Sequence, residues 1–192
     1  MEDVDDETVQ CYYKSMLENE ERTRPEPFFM RRQTLINESH RAELINWLAE
    51  VVAWFGMNDE SLFLAVNYLD RFFCTMRGTK RTLQLVGTAA LFIAAKYEEI
   101  SPPASEDFAA MISEDTRNVT INAYELTVLN AIRYDLCVAS SRSFLKFVIA
   151  ADHLTVREEE TQNYALVCFL LSFFACFSLI IFFFCFDGTE NM

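Results

Sequence analysis

Two histidines and six cysteines are the side chains of this sequence best suited to metal binding or nucleophilic chemistry, and their spacing argues against both. His40 and His153 stand far apart, with no HExxH segment and no Cys/His cluster around either. Cys11, Cys74, Cys137, Cys168, Cys176 and Cys185 never fall into CxxC spacing, and three of them sit inside an apolar run. With no secretory signal ahead of them, they are expected to be reduced, buried thiols of an intracellular protein. Neither a glycine-rich phosphate loop nor a GxSxG elbow is present. The expectation is a protein that is not an enzyme, takes no cofactor and holds no metal. That leaves binding as the function to look for.

Charge narrows the choice of partner. The 192 residues carry 16 Lys and Arg against 29 Asp and Glu, a formal net charge of −13. Affinity for nucleic acid comes largely from neutralising phosphates with Lys and Arg, so DNA and RNA are disfavoured as partners, and with them a role as a transcription factor.

The elements that must position a binding surface read as helices. Only four glycines and four prolines punctuate the chain, too few for a strand-rich fold with many tight turns. An acidic leader precedes a short amphipathic helix over 8–21, with Val9, Tyr12, Tyr13, Met16 and Leu17 at helical spacing. Arg24-Pro25-Glu26-Pro27 ends it, and 28–33 form a connector. A first domain helix places Leu44, Leu48, Val51 and Phe55 on one stripe, with Asn37 or Ser39 as N-cap and Gly56 as the stop. A second starts at Asn58 or Asp59, carries Leu62, Val66, Leu69, Phe73 and Met76, and is closed by Gly78. The third, over 80–99, is apolar or small nearly all round, as expected of a buried hub. Pro102-Pro103 break the chain, a short fourth helix covers 106–112, and a fifth covers 120–134 on Ile121, Glu125, Val128, Leu129 and Ile132. The pattern restarts over 140–153 with Phe144, Phe147, Val148 and Ala151.

The domain these helices form resembles the first cyclin box of an A-type (mitotic, A/B-like) cyclin, from about Tyr12 to Leu136. The segments that carry the likeness are Arg41-Ala42, Asn46-Trp47-Leu48-Ala49-Glu50-Val51 and Ala65-Val66-Asn67-Tyr68-Leu69-Asp70-Arg71-Phe72. They continue with Leu83-Gln84-Leu85-Val86-Gly87-Thr88-Ala89-Ala90, then Ala95-Lys96-Tyr97-Glu98-Glu99-Ile100-Ser101-Pro102-Pro103, and end with Tyr134-Asp135-Leu136. The resemblance implies an all-α chain in four parts. These are a leader, N-terminal helix and connector over 1–36, a five-helix cyclin box over 37–136, the start of a truncated second box over 137–164, and an apolar tail over 165–192.

What the resemblance implies for function is a regulatory subunit that binds and activates a cyclin-dependent serine/threonine kinase. Such a subunit would act in cell-cycle control of the S phase or G2–M type, in nucleus and cytoplasm. Lys96 and Glu125 match the family's lysine and glutamate that hydrogen-bond kinase backbone beside its mobile C helix. Tyr97, Leu129, Tyr134 and Leu136 match the apolar surface on which that helix lies, and Val9 and Tyr12 match the N-terminal helix that extends it. Arg41 and Asp70 match an ion pair tying the first box helix to the second. In the family's groove for Arg-x-Leu motifs of substrates and inhibitors, Leu44, Trp47, Glu50, Leu83 and Gln84 agree with the pattern. His40 and Glu43 stand where methionine and isoleucine are expected, so the resemblance implies a weakened groove.

Residues 165–186 contain nothing more polar than Ser172, Ser178 and cysteines, a length that matches a bilayer core of roughly 30 Å. The alternative to an activating cyclin is thus a tail-anchored or otherwise non-activating truncated cyclin-like protein. The reading preferred here is an abnormal C-terminus replacing a family helix midway, with membrane anchoring second. In either case a chain ending near Glu160 should stay in the supernatant after high-speed centrifugation while the full chain sediments, because uncharged apolar surface drives burial. A full chain that stays monomeric and soluble alone would contradict both readings of the tail.

Overall fold

The computed structural model describes residues 6–112 and 121–151. The chain divides into two units, 1–140 and 141–192. In the first, α1 (Asp6–Thr23) leads into a short 3-10 turn (Phe29–Arg32), followed by α2 (Glu38–Phe55), α3 (Asp59–Thr75), α4 (Lys80–Glu98), α5 (Ser105–Met111) and α6 (Ile121–Ala131). In the second, α7 (Ser141–Ala151) is the described element. No strand occurs among the described residues. The sequence expectations for Thr120, His153, Cys168, Cys176, Cys185 and the apolar run 165–186 lie outside the described residues. No described helix is long and apolar enough to cross a membrane.

The centre of the first unit is α4, which packs against α2, α3, α5 and α6. Every residue from Leu85 to Ala95 is buried. The small residues explain how: with Ala89, Ala90, Ala94 and Ala95 fully covered, neighbouring helices approach from several sides. Gly87 marks the closest approach, since a Cβ there would stand 2.9 Å from the Leu44 methyls of α2. Phe108 of α5 completes the core, its ring 5.4 Å from Phe55 and 5.5 Å from Phe92.

Local signals set most boundaries. Asn37 caps α2 by accepting from His40 N–H, and Thr79 caps α4 by accepting from Thr82 N–H. Gly56 ends α2 in the left-handed conformation (φ 63°), with its N–H on Ala53 O and Met57 N–H on Val52 O.

Two boundaries differ from expectation, each because a distant side chain caps the helix. Gly78 does not close α3. That helix stops at Thr75, where the Gln33 amide donates to Phe73 O (2.9 Å) and Met76 O (2.8 Å) and accepts from Gly78 N–H (2.9 Å). Met76 therefore leaves the apolar stripe and is 46% exposed. The helix expected to run to Tyr134 stops at Ala131, because Arg71 donates to Ile132 O (3.0 Å) and Asp135 O (2.7 Å) while Arg133 and Tyr134 turn left-handed (φ 58° each).

The thiols also depart from expectation. Cys11 and Cys137 are exposed and Cys74 is half-buried, and none of the three is disulfide-bonded. Cys11 lies on α1, whose described side chains are mostly solvated, and Cys137 lies in the chain after α6, so neither position belongs to the core.

Candidate protein-binding surfaces

The first surface forms where the C-terminal end of α4 meets α6. Lys96 sits in the last turn of α4, where a cation is favoured by the carbonyl end of the helix dipole. Its ammonium pairs with the Glu125 carboxylate of α6 and lies 4.3 Å from the Phe92 ring centroid, a cation–π distance. Tyr97 and Tyr134 flank this region in sequence and are both exposed, while Leu129 and Leu136 are half-buried against the core. Tyr134 is presented by the left-handed turn that follows α6, its N–H held by Leu129 O at 2.9 Å. Burial, with the Cys137 thiol close by, pushes the Tyr97 hydroxyl above the usual tyrosine range.

The end of α1 is fastened to the segment carrying Tyr134 and Leu136. Arg22 pairs with Asp135, Asn19 contacts the Cys137 sulfur at 3.7 Å, and Asn67 of α3 donates to Thr23 O at 3.0 Å. Tyr68, fully buried, donates its hydroxyl to Leu136 O at 2.9 Å, and burial pushes that hydroxyl far up. Farther along α1, Tyr12 is exposed, whereas the side chain of Val9 lies outside the described residues. Sequence reasoning missed the residues that place this surface, Arg71, Asn67, Asp135 and Asn19. Signals were present in Arg71 and Asn67, which with Asp70 are the polar residues of the otherwise apolar stretch Leu62–Cys74 of α3.

Between α2 and α3 the structure brings Arg41 and Asp70 together. Arg41 donates Nε to Oδ1 at 2.7 Å and Nη2 to Oδ2 at 2.6 Å, a bidentate pair. Burial pushes the Asp70 carboxyl up, with the guanidinium pulling against it.

A third feature is a groove of about 540 Å³ between α2 and the start of α4. Leu44, Trp47 and Leu83 supply its apolar lining, and His40, Glu43, Gln84 and Lys80 its polar lining. Lys80 was not foreseen, and Glu50, foreseen as lining, sits outside it one turn past Trp47. His40 is already engaged: its Nδ1 accepts from Asn37 N–H at 3.2 Å, closing a reciprocal cap. Glu43 accepts from the Ser39 hydroxyl at 3.3 Å. Nothing in this groove, and no group of Cys, His, Asp and Glu among the described residues, forms a metal site.

The cyclin N-terminal domain family matches residues 11–137, from within α1 through the Tyr134 turn. The chain belongs to the cyclin family. Among curated proteins it is 41% identical to a G2/mitotic-specific cyclin-A of Drosophila melanogaster over 128 residues, 67% of this chain and 26% of that protein. It is 36% identical to the cyclin-A1 of Mus musculus over 152 residues, 79% of this chain and 36% of that one. The chain therefore spans only about a quarter to a third of the length of these A-type cyclins. In fold it is similar to a viral cyclin from herpesvirus saimiri, with a TM-score of 0.66 at 22% identity over 81% of this chain and 65% of that one. Cyclins are regulatory subunits and not enzymes.

Proposed function

We propose that this cyclin binds a cyclin-dependent serine/threonine kinase through the Lys96–Glu125 surface and activates it, in cell-cycle control in nucleus and cytoplasm. The observation that carries the reading is the meeting of Lys96 and Glu125 across α4 and α6, beside exposed Tyr97 and Tyr134; the resemblance to A-type cyclins matches these two positions to that family's anchors on kinase backbone. Charge-assisted bonds strengthen as an interface dehydrates, and tyrosines bury a ring while keeping the hydroxyl wet. Docked there, the kinase C helix would be held inward, its Lys–Glu ion pair completed and its activation loop ordered for phosphoryl transfer. The cyclin contributes binding energy and no reacting group. Co-purification of the chain with a cyclin-dependent kinase, followed by phosphorylation of a histone-type substrate, tests this. A kinase that binds without gaining activity would limit the role to occupancy, and absence of binding would overturn it.

The groove of α2 and α4 is proposed to dock Arg-x-Leu motifs, but weakly. Seating a leucine beside Glu43 and His40 forfeits apolar contact and desolvates a carboxylate. The expected result is that His40→Met with Glu43→Ile tightens an Arg-x-Leu peptide by about tenfold, roughly 1.4 kcal/mol. Asn37 still caps His40 N–H in that variant, so α2 keeps its start. Fluorescence polarisation with a labelled peptide reads the change, and tight binding by the unaltered chain would refute the expectation.

A further inference from the structure

The connector between α1 and α2 carries a pattern that neither surface above uses: Arg31 and Arg32, then Gln33, Thr34 and Leu35. Among all the Ser and Thr of the sequence, Thr34 alone has arginine both two and three residues before it, and an aliphatic side chain follows it directly. We propose that Thr34 is a phosphorylation site, at which this chain is the substrate of an arginine-directed serine/threonine kinase. The site stands apart from the Lys96–Glu125 surface, because Ile36 lies against Gly78 just before the start of α4 and Lys96 closes the other end of that helix.

Every part of the pattern that a kinase reads faces solvent, and the residue it does not read is turned inward. The Gln33 amide donates to Phe73 O (2.9 Å) and Met76 O (2.8 Å) and accepts from Gly78 N–H (2.9 Å), while Phe29 and Met30 are buried. Pinned at those points, the connector leaves Arg31, Arg32 and Thr34 exposed and Leu35 60% exposed. Both guanidiniums are lightly held. Arg31 lies 4.3 Å from the ring centroid of exposed Phe28, and Arg32 pairs with Glu26 where both side chains are more than half exposed. Exposed contacts of these kinds are weak and readily exchanged for others. A kinase threads its substrate in extended form, and Gln33 before the acceptor and Asn37 after it are extended already (ψ 128° and 178°). What has to open is the turn at the arginines, releasing Arg31 N–H from Phe28 O and Gln33 N–H from Met30 O, each at 3.0 Å.

Chemistry and charge both suit the acceptor. The Thr34 hydroxyl oxygen attacks the γ-phosphorus of ATP, the bond from that phosphorus to the β–γ bridging oxygen breaks, ADP departs, and the hydroxyl proton passes to the kinase's catalytic aspartate. Carboxylates in the kinase cleft select the two guanidiniums through charge-assisted bonds, and an apolar pocket takes the following leucine. The product adds a charge of about −1.5 to −2 to a chain that already carries −13. Its surroundings accept it, since no Asp or Glu occurs over 27–37 or over 71–97. Gln33 joins these two segments by bonding Met76 and Gly78, the neighbours of Arg77 on either side. The phosphate therefore forms among cations and not among carboxylates.

The test incubates the full chain, kept in mild detergent, with magnesium ATP and the catalytic subunit of cyclic-AMP-dependent kinase, an arginine-directed enzyme. Intact mass reads the incorporation and fragmentation mass spectrometry reads its position. A single phosphate on Thr34 is expected. Thr34→Ser should keep it and Thr34→Ala abolish it, while Arg31→Ala and Arg32→Ala should each slow it about tenfold, the size of one lost charge-assisted contact. A synthetic peptide of residues 27–38 and its two arginine variants repeat the comparison where folding plays no part. Incorporation that persists in Thr34→Ala, or rates indifferent to both arginines in chain and peptide, would overturn the proposal. So would a peptide that takes up phosphate while the full chain takes up none, because the connector would then be closed to the enzyme, and so would a peptide left unmodified.

Discussion

Exchanging the two anchors in one chain, Lys96→Glu with Glu125→Lys, is expected to abolish association with the kinase while leaving helical content unchanged. The pair in this structure is what makes the exchange informative. Because the two side chains meet each other, reversing both keeps an ion pair between α4 and α6, and a half-exposed pair contributes at most about 1 kcal/mol to begin with. Lys96 is 40% exposed and Glu125 16%, so neither is a core residue whose loss collapses the box. Against the kinase backbone proposed above as the partner, the exchange would put a carboxylate where oxygens need a donor and an ammonium where N–H groups need an acceptor. Mispairing a desolvated charge costs about 2 to 5 kcal/mol, a loss of affinity of about 25-fold or more. A pull-down titration and far-UV circular dichroism on the same preparation give the two readouts. Unchanged affinity excludes this surface as the interface, and lost helicity shows that the pair holds the box together.

How far the residues foretold this surface depends on the range of the interaction that sets each feature. Features written within one turn were legible. Asn37 three residues before His40, Gly56 at the end of the Leu44–Phe55 stripe, and the small residues of α4 announce a cap, a stop and a buried helix. Features set across the fold were not. The end of α3 is decided by Gln33 and the end of α6 by Arg71, each reaching tens of residues along the chain, and no periodicity carries that information. Likewise the stripe assigned to α3 included Val66 and Met76 yet omitted Tyr68 and Phe72, which are buried because α3 faces α4 and α6 over a wider arc than one line of contacts. The pairing of Lys96 with Glu125 had no spacing signal at all. A lysine closing one helix and a glutamate on another became a site only through the resemblance.

Removing one member of the Arg41–Asp70 pair is expected to produce the largest loss of stability of any single change outside the apolar core. Asp70 is 7% exposed and accepts two guanidinium bonds, so Arg41→Ala leaves a buried carboxylate without its bidentate partner. Breaking such a pair costs about 3 to 5 kcal/mol, which for a box of this size lowers the thermal midpoint by about 10 °C or more. Asp70→Ala added to Arg41→Ala should cost less than the two single losses together, since the second change removes the charge that the first one stranded. The pH dependence supplies a separate check. Burial already holds the Asp70 carboxyl above the usual range against the pull of Arg41, and without Arg41 it rises further. An acid whose pKa is higher in the folded state than in the unfolded one carries no penalty below its unfolded value of about 4, and the penalty grows as pH climbs through the folded value. The gap in thermal midpoint between the unaltered chain and Arg41→Ala should therefore be smallest in acid and widen toward neutral pH. Melts recorded from pH 4 to pH 8 decide it. A gap constant across that range, or strict additivity in the double variant, would mean that the energetic role of Arg41 does not run through Asp70.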